Sequence, residues 1–306
     1  MEYLAVVWLL FVIFGCIGLY VSFATSGVRD NKPKIVNTSR AGRDAISGLK
    51  WPTFDAERST LPLWLYFVAI AAAELLTIFL NPWAGVICHS IILVALLIQP
   101  TFVANIERRN LILALSLVPL VRILSLSLPL VQLPQMYWYP LIYAPLLAAT
   151  VVVMRVIGLK PSHVGLTSRG LPWQIPVGIV TGSAFGFIEY LILRPEPLVT
   201  QLTWQQVWLP AVILLVTSGF VEELMFRGVL QRLAESVMGL RGILYIALIF
   251  TILHVGWLSL VDLIFIIFIG SFFAVLVKRT GSIIGVTLSH GMANIMLFLV
   301  APFVLG

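Results

Sequence analysis

The sequence predicts an all-α fold, a polytopic transmembrane helical bundle of about ten spans with both termini outside. Three observations predict it. Of the 306 residues, 60% are hydrophobic and only 10% are charged, whereas about a quarter of a soluble domain is charged. Apolar runs close to ~20 residues, enough helix to cross the hydrocarbon core, recur along nearly the whole chain. Basic residues also alternate between loops: 25–60, 105–110, 159–171, 227–241 and 278–281 hold sixteen Lys and Arg, while the opposite loops hold Arg194 alone. Such asymmetry marks the cytoplasmic side. The net charge of +6 is therefore a topological signal, and nucleic acid is not an expected partner.

Taken in order, the expected spans are 4–24, 61–80, 84–104, 111–131, 140–158, 172–193, 206–226, 242–258, 260–277 and 282–303. The first lacks the basic start and shorter apolar core of a signal peptide, since only Glu2 precedes its apolar run. It is therefore expected to be retained. Loop 25–60 is polar and reads as a basic tether, with a short interfacial helix around 40–49 as the alternative. Turn residues mark the next boundaries, including "NPW" at 81–83 and "RPEP" at 194–197. Cys16 and Cys88 fall within spans and read as small buried hydrophobes.

The proline-bounded stretch "LKPSHVGLTSRGLPW" divides the chain. Residues 1–158 form an expected five-span accessory bundle, 159–171 a basic connection, and 172–306 a second group of five spans. The chain is expected to be a multi-pass integral membrane protein, in the plasma membrane if prokaryotic.

Ionisable groups at membrane depth are costly, face the protein interior and find partners. Glu74, Arg122 and Arg155, on three helices of the first group, read as interhelical pairs or as snorkelling ends. His89 reads as a packing donor, Asp262 as a solvated residue opening its span, and Glu189 as a partner for Arg194. The second group is denser. In "FVEELMFR", Glu223 and Arg227 are four apart, the spacing of an intrahelical ion pair, with Arg227 near the span edge. Glu222 is turned ~100° away and lacks that partner. "IFTILHVG" places Phe250 and His254 on one helical face, and "TLSHGMANIM" does the same for His290 and Asn294. Gly291 and Ala293 permit close approach by a neighbouring helix. At ~1.5 Å per residue, Glu222 lies roughly 15 Å from Arg232, His254 roughly 20 Å from Arg241, and His290 and Asn294 roughly 12 and 18 Å from Ser282, the cytoplasmic boundaries of their helices. Three helices thus bring a carboxylate, two imidazoles and a carboxamide to similar depth.

A desolvated glutamate with a histidine can polarise water, and N–H donors can hold an oxyanion. That inventory fits hydrolysis of an amide or ester by activated water. Covalent catalysis fits less well, because Ser289 and His290 are adjacent and point apart. Two histidines and a glutamate could also hold zinc, although no HExxH occurs.

The motifs EExxxR (Glu222, Glu223, Arg227), FxxxH (Phe250, His254) and HxxxN (His290, Asn294), in this order, resemble those of the CPBP intramembrane proteases. This family is also called the Abi or type II CAAX prenyl endopeptidase family. "HVGLTSRG" resembles its lead-in, so the likeness covers about 160–306. The resemblance implies a glutamate-dependent intramembrane endopeptidase. Glu222 and His254 would activate water, His290 and Asn294 would stabilise the oxyanion, and Glu223, Arg227 and Phe250 would shape the site. It implies no cofactor, with zinc the less favoured alternative, and a membrane-embedded or lipidated peptide or protein substrate reached from the bilayer. A non-enzymatic scaffold or immunity factor of the same fold, or a small-solute transporter, are the alternatives; no inverted repeat of the transporter kind is evident.

Overall fold

The computed structural model describes residues 60–127 and 135–306. The expected first span, Cys16 and most of loop 25–60 lie outside the described residues. Among the described residues, nine helices are long and apolar enough to cross a membrane: α1 (Leu61–Phe79), α2 (Pro82–Phe102), α3 (Ile106–Leu126), α4 (Gln135–Val156), α5 (Leu171–Leu193), α6 (Trp204–Met238), α7 (Leu240–Trp257), α8 (Leu260–Thr280) and α9 (Ile284–Val304). No strand occurs among the described residues. Helices satisfy their own backbone hydrogen bonds, which hydrocarbon cannot do. Large apolar side chains such as Phe79, Ile91 and Phe268 face outward, as they would towards lipid.

Local chemistry sets the helix starts. Asn81 accepts from Ala84 N at 2.9 Å and Pro82 follows it at the first helical position, where a missing N–H costs nothing. Asn105 caps α3 by accepting from Arg108 N at 2.9 Å, so the polar 106–110 segment is helical and not loop. The larger departure is α6. The expected span ended at 226, with a basic loop to 241, but the helix runs to Met238 and turns at Gly239, where φ is 60°. Its polar end is satisfied against α8: Gln231 donates to Ala274 O at 3.0 Å, and Glu235 pairs with Lys278 at 2.9 Å. Arg227, expected near the interface, is only 1% exposed.

Two close approaches hold α9 in place. A Cβ on Gly182 of α5 would lie 2.2 Å from Ser289 O, and one on Gly291 would lie 2.4 Å from the Leu215 side chain of α6. Small residues at such crossings let helix backbones pack where lipid supplies no hydrophobic drive. The connection after α4 is pinned as well, with Ile283 N donating to Gly165 O at 3.0 Å and Ser282 Oγ to Thr167 O at 3.1 Å. Tyr245 on α7 donates to Leu63 O on α1 at 2.8 Å, joining the two helix groups.

In the first group, Arg122 makes a two-pronged pair with Glu74 (Nε–Oε1 2.5 Å, Nη2–Oε2 2.7 Å). His89 is fully buried with Nε2 3.0 Å from Glu74 Oε1. Arg155 is exposed in the last turn of α4. Two expectations fail. Asp262 is not solvated: it has no exposed surface, and neither carboxylate oxygen has a hydrogen-bond partner. The Ser259 cap on its N–H (3.1 Å) turns the start of α8 inward. Glu189 does not pair with Arg194, because Arg194 ends α5 in a left-handed conformation and is exposed, while Glu189 is buried inside the bundle.

Candidate active site

Glu222 and Glu223 sit where α6 widens. Residues Leu215–Glu222 and Leu224–Gln231 adopt π-helical geometry, which recurs at functional sites. The two carboxylates diverge. Glu223 is fully buried and pairs with Arg227 Nη1 at 3.0 Å. The same oxygen, Oε1, meets His290 Nδ1 at 2.8 Å, so Glu223 joins α6 to α9. Glu222 retains 15% exposure, and its Oε2 stands 3.9 Å from His290 Nε2. The histidine is therefore held by Glu223 and only faces Glu222.

Glu222 has a partner that its own helix does not supply. Tyr143 Oη, on α4, donates to Glu222 Oε1. Both residues line a cavity of about 460 Å³ together with His254, Arg122, Phe250 and Trp257. The cavity draws on α3 and α4 as well as on α6 and α7, so it spans the 158/172 division of the sequence.

His254 lies where α7 unwinds. Its backbone N–H turns to Thr251 O at 2.9 Å, and Phe250 O is met by the ring Nδ1 at 2.9 Å. A carbonyl only accepts, so Nδ1 carries the proton and Nε2 of the neutral ring is left as an acceptor. Phe250 packs between the charged groups: its ring centroid is 4.3 Å from Arg227 Cζ, 4.7 Å from the His254 ring and 6.0 Å from the His290 ring. Arg227 thus gains a cation–π contact as well as its ion pair.

Asn294 is oriented by Ser218. The serine hydroxyl gives its hydrogen to Leu214 O at 2.8 Å and therefore accepts from Asn294 Nδ2 at 2.8 Å. His254, His290, Asn294 and Glu189 line a second, smaller cavity of about 30 Å³. His254 borders both spaces.

All seven residues singled out by the motifs, Glu222, Glu223, Arg227, Phe250, His254, His290 and Asn294, are brought together. Tyr143, Arg122 and Ser218 were not legible as part of the group: no motif contains them, and Tyr143 lies in an aromatic run, "WYPLIY", that reads as membrane interface. Among the described residues, no three His, Cys, Asp or Glu side chains converge as a metal ion would require. The nitrogen Nδ1 of each site histidine is committed, one to Glu223 and the other to a carbonyl.

No curated protein and no solved structure matches the chain. A family model described as type II CAAX prenyl endopeptidase Rce1-like does match, over 203–296. That stretch runs from the start of α6 into α9 and contains all three motifs. Residues 203–296, which carry Glu222, His254, His290 and Asn294, are thus similar to the Rce1-like type II CAAX prenyl endopeptidase family, in agreement with the resemblance carried by the three motifs.

Proposed function

We propose that the chain is an intramembrane endopeptidase that hydrolyses a peptide bond of a membrane-associated, prenylated CAAX-type substrate with water activated by Glu222. The observation that carries this reading is the shared cavity of Glu222 and His254, where each has one atom held and another free. Tyr143 fixes Oε1 of Glu222, leaving Oε2 to take a proton. His254 Nε2 accepts a second hydrogen bond from the same water and orients it.

The water oxygen adds to the scissile carbonyl carbon, and its proton passes to Glu222. The oxyanion that forms is met by Asn294 Nδ2, which has a second N–H beyond the one given to Ser218, and by His290 Nε2. His290 donates from Nε2 only as the imidazolium, because its other proton faces Glu223. With Arg227 and His290 both cationic, they balance the carboxylates of Glu222 and Glu223, and the site is neutral at membrane depth. Collapse of the intermediate breaks the C–N bond, and Glu222 returns the proton to the leaving amine.

The test is cleavage of a prenylated CAAX peptide by the purified protein, followed by mass spectrometry, in wild type and in Glu222→Ala and His254→Ala. Cleavage by wild type with loss in both variants is the expected result. Undiminished cleavage by Glu222→Ala would refute the mechanism, and no cleavage by wild type would favour the scaffold alternative.

A further inference from the structure

The Glu222 cavity has a second charged wall. Among the described residues, Arg122 is the one Lys or Arg that lines it. Its side chain is 19% exposed while its partner Glu74 is fully buried, so the pair is anchored from behind. The Glu74 fork uses Nε–H and one N–H of Nη2, the side edge of the guanidinium. A guanidinium has five N–H donors. The remaining three belong to Nη1 and Nη2, and one from each forms the end-on edge, a second two-pronged face that matches a carboxylate.

A pair serving only helix packing would be more stable facing away from the reacting groups, because a cation beside a catalytic carboxylate competes for it. Here Glu222 has its own donor in Tyr143, and Arg122 is held by Glu74. The two charged groups share the cavity without pairing with each other.

We propose that Arg122 is a specificity-determining residue that binds the free C-terminal carboxylate of the substrate through its end-on edge. This rests on the endopeptidase reading and adds how the substrate end is measured. Three extended residues reach ~10 Å, and a 460 Å³ cavity is within the ~300–1,000 Å³ of small-ligand sites. A peptide whose carboxylate docks on Arg122 would therefore present a bond a few residues upstream to Glu222. Recognition comes from α3, outside the 203–296 stretch that carries the reacting groups.

The experiment uses one S-farnesyl peptide, three residues beyond the cysteine and free of Asp and Glu, as C-terminal acid and as C-terminal amide. Wild type should cleave the acid with a kcat/KM about tenfold or more above the amide, the size of one charge-assisted hydrogen bond. Equal rates overturn the anchor and leave the endopeptidase reading intact. If wild type cleaves neither, the endopeptidase reading is what fails. Binding of the two peptides to Glu222→Gln then decides the anchor separately: tighter binding of the acid supports it, and equal binding overturns it. Because Arg122→Met alone strands a buried Glu74, the variant is Arg122→Met with Glu74→Gln. Loss of the acid preference there supports the assignment, and its retention places carboxylate recognition elsewhere.

Discussion

Tyr143 on α4 hydrogen-bonds to Glu222 on α6, linking residues 79 positions apart. The bond comes from outside the 203–296 family stretch. It makes the first helix group part of the architecture around Glu222, where the sequence offered it no role.

Tyr143→Phe removes this bond while keeping the ring and its stacking on Tyr139, whose centroid is 6.4 Å away. On the proposed mechanism, kcat should fall about tenfold with KM little changed, since a hydrogen bond to a charged group contributes ~1.5–3 kcal/mol. Steady-state kinetics on the CAAX peptide check it. A change confined to KM would make Tyr143 a substrate contact and not a positioning residue.

Arg227→Ala should be severely destabilising. The arginine is 1% exposed, pairs with a fully buried Glu223 and lies over Phe250. Removing one partner of a buried pair costs roughly 3–5 kcal/mol because the other charge is stranded. Glu223→Gln with Arg227→Met should recover most of the thermal stability in detergent. It should not recover cleavage, because His290 Nδ1 then faces a neutral amide where a carboxylate stood. Stability and activity recovering together would show that Glu223 acts only through packing.

The spans were legible because hydropathy over ~20 residues reports directly on the membrane, and each expected span from the second onward has its helix. The end of α6 was not. Gln231 and Glu235 look like loop residues until their partners on α8, Ala274 O and Lys278, are in place. Asp262 misled for the converse reason: a charged residue at a helix start reads as solvated, yet it is buried. In the site, i,i+4 spacing identified Glu223–Arg227, which the π-geometry of α6 preserves. The grip of Glu223 on His290, and that of Tyr143 on Glu222, depend on helix crossings that no local spacing encodes.

Gly182→Ala should lower the thermal midpoint, since its Cβ would meet Ser289 O at 2.2 Å and backbone must move to admit it. Overpacking of this kind costs about 1–3 kcal/mol. Gly256→Ala is the stability control, because no atom lies within 4 Å of its Cβ. Equal midpoints for the two variants would mean that α5 and α9 can separate without loss.

Chelation discriminates between carboxylate- and metal-activated water. A zinc site needs three protein ligands converging on one point. Here His290 Nδ1 is engaged by Glu223, and His254 Nδ1 by Phe250 O. Each ring keeps Nε2, the nitrogen that would bind a metal on one mechanism and the water or oxyanion on the other. On the carboxylate mechanism proposed above, cleavage of the CAAX peptide should persist after prolonged dialysis against EDTA, with kcat unchanged within error. A loss reversed by stoichiometric zinc would refute the carboxylate mechanism. The bond from Glu223 to His290 would then have to be read as the outer carboxylate that orients a metal-bound histidine, and Glu222 as a ligand in place of a base.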